Sequence, residues 1–69
     1  MALRITKNST VHSLCKKGGC NYYTLTRLLV RRLRLPLTAH EYAKREGNQY
    51  NAAKKLVRRA VLALAAAAA

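Results

Sequence analysis

The chain has 69 residues, among them 14 Lys and Arg but only two Asp and Glu, which gives a formal net charge of +12. This length allows one domain with a small core, and the longest apolar run, residues 60–69, is too short for the roughly 18 residues of a membrane span. Repulsion among the positive charges would weaken a free-standing fold of this size, so we expect its stability to depend on a polyanionic partner. Nucleic acid is the first candidate and an anionic membrane surface is the second.

The first segment has the pattern of a short strand. Residues 2–7 alternate apolar and polar side chains, with Leu3 and Ile5 on one side. This period of two predicts a half-buried strand. Residues 8–10, Asn-Ser-Thr, predict a turn, because their short polar side chains hydrogen-bond to nearby backbone. No secretory signal or separate mitochondrial presequence is evident in this part of the sequence.

Residues 11–23 are expected to form a long loop. Lys16 and Lys17 precede two glycines, a combination that lets backbone approach a phosphate chain closely. A solvated turn of a basic protein would have the same composition. Tyr22 and Tyr23 are able to stack on unpaired bases, although one of them packing at the edge of the core is the more common outcome.

Cys15 and Cys20 raise the question of a metal site, with His12 and His40 as possible further ligands. The C-x4-C spacing lies at the edge of the usual zinc pattern, and there is no second cysteine pair. We therefore expect two reduced thiols and no metal. Cysteine-histidine catalysis is not expected, because no third group is evident to orient the base.

Residues 24–34, TLTRLLVRRLR, predict an amphipathic helix that Asn21 or Thr24 caps and Pro36 ends. Four leucines at i, i+3, i+4 and i+8 form the face expected to be buried: Leu25, Leu28, Leu29 and Leu33. The other side carries mainly Arg27, Arg31 and Arg34, and Arg32 lies near the boundary between the two sides. Residues 1–40 contain no acidic side chain, so we expect the arginines to be neutralised from outside the chain.

The second half repeats this order. Residues 37–42 alternate and predict a second strand, residues 44–47 predict a charged turn, and Asn48 is expected to cap a second basic amphipathic helix. Residues 61–64 are compatible with a third strand or with continuation of that helix. The alanines at 65–69 form a tail, or stand for residues of unassigned identity, and residues 1–64 are expected to be one domain.

The order of short motifs resembles the bacterial-type large-subunit ribosomal protein L thirty family. The resemblance is carried by LRIT, NST-V-H, TL-x-x-LLVRRL, HE, R-x-GN and AAKKLV, over most of residues 3–58. Three positions depart from the family pattern, since His12 and Leu29 stand where glycines are usual and Asn48 stands where methionine is usual. These departures suggest a divergent mitochondrial copy.

The resemblance implies an α+β fold, a small βαβαβ domain whose three-stranded antiparallel sheet carries two helices on one face. It also implies a structural role in the ribosome, mitochondrial or bacterial-type cytoplasmic, with large-subunit ribosomal RNA and neighbouring ribosomal proteins as partners. With this role we expect no enzymatic activity, no small-molecule substrate and no cofactor. Together with the charge pattern it gives an expected RNA-binding set of His12, Lys16, Lys17, Tyr22, Arg27, Arg31, Arg32 and Arg34. A membrane-surface amphipathic protein and a small zinc module are the alternatives.

Overall fold

The computed structural model describes residues 4–68, and this part of the chain is helical with no strand. Its four helices are α1 (Val11–Gly18), α2 (Tyr22–Arg32), α3 (Ala39–Glu46) and α4 (Gln49–Ala68). The predicted βαβαβ domain with a three-stranded sheet is therefore wrong. The described residues fit within 33 × 25 × 19 Å.

Side-chain caps fix where the helices begin. Thr10, Asn21 and Thr38 each accept a hydrogen bond from the backbone N–H three residues on, and the Asn48 carboxamide accepts one from Asn51 N–H at 2.7 Å. Such a cap stabilises a helix by about 1 kcal/mol. Of the two caps predicted for α2, Asn21 and Thr24, the structure has Asn21, and the predicted cap at Asn48 is confirmed.

The predicted second strand is instead α3, because its start is a capping box. Glu41 N–H donates to the Thr38 hydroxyl at 3.1 Å, and Thr38 N–H donates back to the Glu41 carboxylate at 3.2 Å. This reciprocal pair is specific to a helix start. Lys44 and Arg45, expected in a turn, lie in the last turn of α3.

The remaining predicted strands and the long loop are also corrected. In the first strand, residues 2 and 3 lie outside the described residues, and residues 4–6 have no regular structure. Residues 11–18 of the predicted loop form α1, since Thr10 caps them and Val11 and Leu14 bury one face. Residues 61–64 continue α4, as the helical alternative predicts, and residues 65–68 follow in the same helix.

The core lies where α2 and α3 pack against α4. Leu25, Leu29 and Leu56 are its largest fully buried apolar side chains. Leu28, expected in the core, is only half-buried, whereas Thr26 is fully buried. Its hydroxyl donates to Tyr22 O at 2.8 Å and lies 3.4 Å from Gln49 O, so a polar side chain can face α4.

Candidate nucleic-acid interface

The structure brings three of the predicted arginines together on the outer side of α2. Arg27, Arg31 and Arg34 are exposed and, with Tyr23, border a shallow depression of about 530 Å³. The Tyr23 side chain is 44 % exposed. We call these four residues the α2 arginine surface. Guanidinium groups beside an accessible ring suit phosphates next to a base or sugar.

Arg34 has an unusual backbone conformation, with φ at 52°. It follows the last turn of α2, where Leu35 N–H donates to Val30 O at 3.0 Å and Arg34 N–H donates to Arg31 O at 3.2 Å. This helix ending favours glycine, because a left-handed backbone costs other residues about 1–2 kcal/mol. Gly19, with φ at 62°, has the corresponding position after α1. The chain thus keeps a guanidinium at a strained position, which points to a use for it.

The carboxylates cannot neutralise these surfaces, because the chain has two of them against 14 Lys and Arg. Both lie in α3. Glu41 serves the cap of its own helix, and Glu46 lies 3.4 Å from the exposed ammonium of Lys55. Most of the positive charge therefore faces solvent without a counter-charge from the chain.

The other predicted site residues lie elsewhere. Lys16 and Lys17 are exposed in the last turn of α1 rather than in a glycine loop, and Arg32 is exposed at the end of α2. His12 lies on α1 beside a groove that α4 borders. Tyr22 meets the ring of Tyr50 edge to face, with 5.1 Å between centroids. The expected single RNA-binding set is thus divided among separate parts of the surface.

A second polar surface was missed by the sequence interpretation. Exposed side chains at i, i+1, i+4 and i+8 form one stripe along the outer side of α4, which we call the α4 stripe: Tyr50, Asn51, Lys54 and Arg58. The basic face of this helix was apparent in the sequence. Its first turn was not recognised as part of a site, because the preceding residues were expected to be a strand and a turn.

Cys15 and Cys20 are free thiols, half-buried against the core. Burial raises the pKa of the Cys15 thiol above its ordinary value, and the neighbouring Cys20 raises this pKa further. Residues 4–68 contain no group of three or more metal-ligating side chains. Within the same residues, no helix is long and apolar enough to cross a membrane.

Comparisons of the chain with protein-family models, curated proteins and solved structures give no match. The fold and the surface alone therefore define the class of protein. It is a small, strongly basic, all-helical domain over residues 4–68, with exposed cationic side chains on the outer sides of α2 and α4.

Proposed function

We propose that this protein binds nucleic acid through phosphate contacts made by the α2 arginine surface. The observation that carries the proposal is Arg34, an arginine held at φ 52° at the edge of the same depression as Arg27 and Arg31. A strained backbone is tolerated where the side chain it presents is needed. Three guanidinium groups around one depression form a positive site that phosphates can fill.

The surface favours recognition of charge and shape. The α2 arginine surface contains no Asn or Gln that could make paired hydrogen bonds to adenine, and arginines on phosphates carry no direct sequence information. Tyr23 adds a ring that any unpaired base can stack on. The expected ligand is therefore a folded RNA or another nucleic acid of compatible shape, bound without strong sequence preference.

The ribosomal role stays a prediction. The βαβαβ fold that the resemblance implies is not the fold of residues 4–68, so support for RNA binding comes from the surface and the net charge. The expected partners, large-subunit ribosomal RNA and neighbouring ribosomal proteins, belong to the same prediction, as does the absence of enzymatic activity.

A salt titration tests the proposal. The affinity for a labelled RNA hairpin should fall steeply between about 50 and 200 mM salt, because phosphate contacts release bound counterions. Replacing Arg27 and Arg31 together with glutamine should flatten the slope of log affinity against log salt by somewhat less than two units. A hairpin of unrelated sequence should show the same loss.

The matched control replaces Lys44 and Arg45 with glutamine. It removes the same charge from exposed positions on α3, near Glu41, and should change the slope less. Equal losses in the two variants would contradict a localised α2 arginine surface. Vesicles containing anionic phospholipid are the second probe, and retention on them without measurable RNA binding would overturn the proposal in favour of a membrane-surface role.

A further inference from the structure

We infer that α3, the turn after it and α4 form a helix-turn-helix unit that places the α4 stripe in the major groove of duplex DNA. This is a second interface, and it goes beyond the phosphate contacts proposed for the α2 arginine surface. Four observations carry it: the turn, the packing of α4, the residue types in the stripe and the charge beside it.

The turn between the two helices is short and fixed. Only residues 47 and 48 separate α3 from α4. Gly47 has φ at 104°, a conformation that L side chains rarely adopt, and Asn48 caps α4. The Asn51 side-chain amide donates to Glu46 O at 3.2 Å, which ties the first turn of α4 to the end of α3. Helix-turn-helix motifs likewise join two helices through a short turn that often contains glycine, and their second helix enters the major groove of DNA.

The packing of α4 leaves one side available. Its inner side is buried against α2 and α3 through Ala52, Ala53, Leu56 and Val57. The outer side carries the α4 stripe, all of whose members are exposed. A helix with its side chains is about 10–12 Å across, and the major groove of B-DNA is about 12 Å wide. The supported inner side and exposed outer side match the arrangement of a recognition helix.

The residue types in the stripe are those that recognise base edges. Asn51 donates one amide N–H to Glu46 O, and its second N–H and its oxygen can form paired hydrogen bonds with adenine. Lys54 and Arg58 can bond the acceptors of guanine. They lie in the first half of α4, the part that a helix-turn-helix protein directs at the bases. Of the two surfaces defined above, the α4 stripe combines amide and cationic groups, whereas the α2 arginine surface has no side-chain amide.

Charge beside the stripe suits the DNA backbone. A groove of about 480 Å³ between the start of α1 and α4 is lined by Lys7, His12, Lys54 and Arg58, and the rest of its lining is largely apolar. Helix α4 contains no acidic residue. A duplex seated on the stripe would bring the phosphates that border its major groove to Lys7, Lys54 and Arg58, which favours a polyanion as the occupant.

The experiment uses the full chain with Arg27 and Arg31 replaced by glutamine, so that the α2 arginine surface contributes little. This protein is used to select from a pool of DNA duplexes with a randomised central segment. We expect one motif to be enriched and to bind about tenfold or more tightly than a scrambled duplex, the discrimination of one good paired contact. An unenriched pool, or tighter binding to an RNA hairpin than to the selected duplex, would overturn the inference.

Variants in α4 then assign the contacts. Asn51→Ala and Lys54→Gln should each lower the ratio of selected to scrambled affinity several-fold. Arg59→Gln is the matched control, since it removes one charge from an exposed position of the same helix outside the stripe, and it should leave the ratio unchanged. Circular dichroism should show unaltered helix content in all three. An enriched motif whose ratio neither stripe variant changes would also contradict the inference.

The two proposals fail in different ways. If the wild-type chain shows no salt-dependent binding to any nucleic acid, both are wrong. If salt-dependent RNA binding depends on Arg27 and Arg31 but no duplex is selected, the α2 arginine surface stands and the α4 interface is wrong.

Discussion

Helices α2 and α4 carry similar positive charge and differ in what accompanies it. The α2 arginine surface joins the ring of Tyr23 to its arginines and has no side-chain amide, whereas the α4 stripe adds an amide, Asn51, to its cations. The two surfaces border separate depressions that share no lining residue. Charge alone cannot distinguish the two surfaces, but the neighbouring polar groups can. Binding a phosphate requires only a cation, whereas recognising a base edge requires hydrogen-bond donors and acceptors in a defined geometry.

The arrangement also limits what one ligand can touch. The described part of the chain is at most 33 Å long and 19 Å in its thinnest direction. A straight duplex bound on the α4 stripe would not occupy the separate depression that the α2 arginine surface borders. Two independent surfaces would therefore let one small domain contact two nucleic-acid segments.

The largest expected effect concerns which side of α2 faces inward, because that orientation separates the two surfaces. Leu29→Ala removes a fully buried side chain and should lower the free energy of unfolding by about 2–5 kcal/mol. Leu28→Ala, at a half-buried position, should cost only about 1 kcal/mol. Urea denaturation followed by circular dichroism measures both. A larger loss for Leu28→Ala would mean that Leu28 faces the core, as expected from the sequence. It would contradict the outward direction of the arginines.

Helices α2 and α4 were predictable, because apolar spacing at a period near 3.6 residues was clear in α2 and in most of α4. Helices α1 and α3 were missed, since a loop and a strand were expected there. The predicted strands were wrong, because the alternation of apolar and polar residues behind them lasted only a few residues. In residues 37–42 this alternation competed with Thr38 and Glu41, and the capping box they form determined the structure. In short segments, cap residues were therefore better evidence than alternation.

The candidate site was likewise predictable only in part. Arg27, Arg31 and Arg34 follow from helix periodicity, and the structure places them around one depression. Neither the left-handed conformation of Arg34 nor the proximity of His12 to α4 could be inferred, since both depend on how the helices end and pack. Asn51 was missed because its position in a site depends on α3 being a helix.

A substitution in the turn should separate the two surfaces. Gly47→Ala places a side chain at φ 104° and should destabilise the fold by about 1–3 kcal/mol, although the added Cβ meets its nearest neighbour, the Asn51 amide, at an ordinary 3.7 Å. The strain falls on the start of α4, so the preference for a selected duplex should fall while salt-dependent RNA binding persists. Lys44→Ala, at an exposed position of α3, should change stability by less than about 0.5 kcal/mol. Equal loss of both binding activities in Gly47→Ala would show that the surfaces are not independent.

The smallest expected effect is at Arg34, where stability and binding should change in opposite directions. Arg34→Gly relieves a left-handed backbone and should raise the free energy of unfolding by about 1 kcal/mol. The same change removes a guanidinium from the α2 arginine surface, so the salt slope for RNA should fall by nearly one unit. Arg34→Lys keeps both the strain and the charge, and it should leave stability and slope near their wild-type values. A stabilised Arg34→Gly chain with an unchanged slope would mean that the guanidinium does not contact phosphate, and the strain would then need another explanation. Lost stability in that variant would instead mean that the arginine side chain contributes more to the fold than its backbone costs.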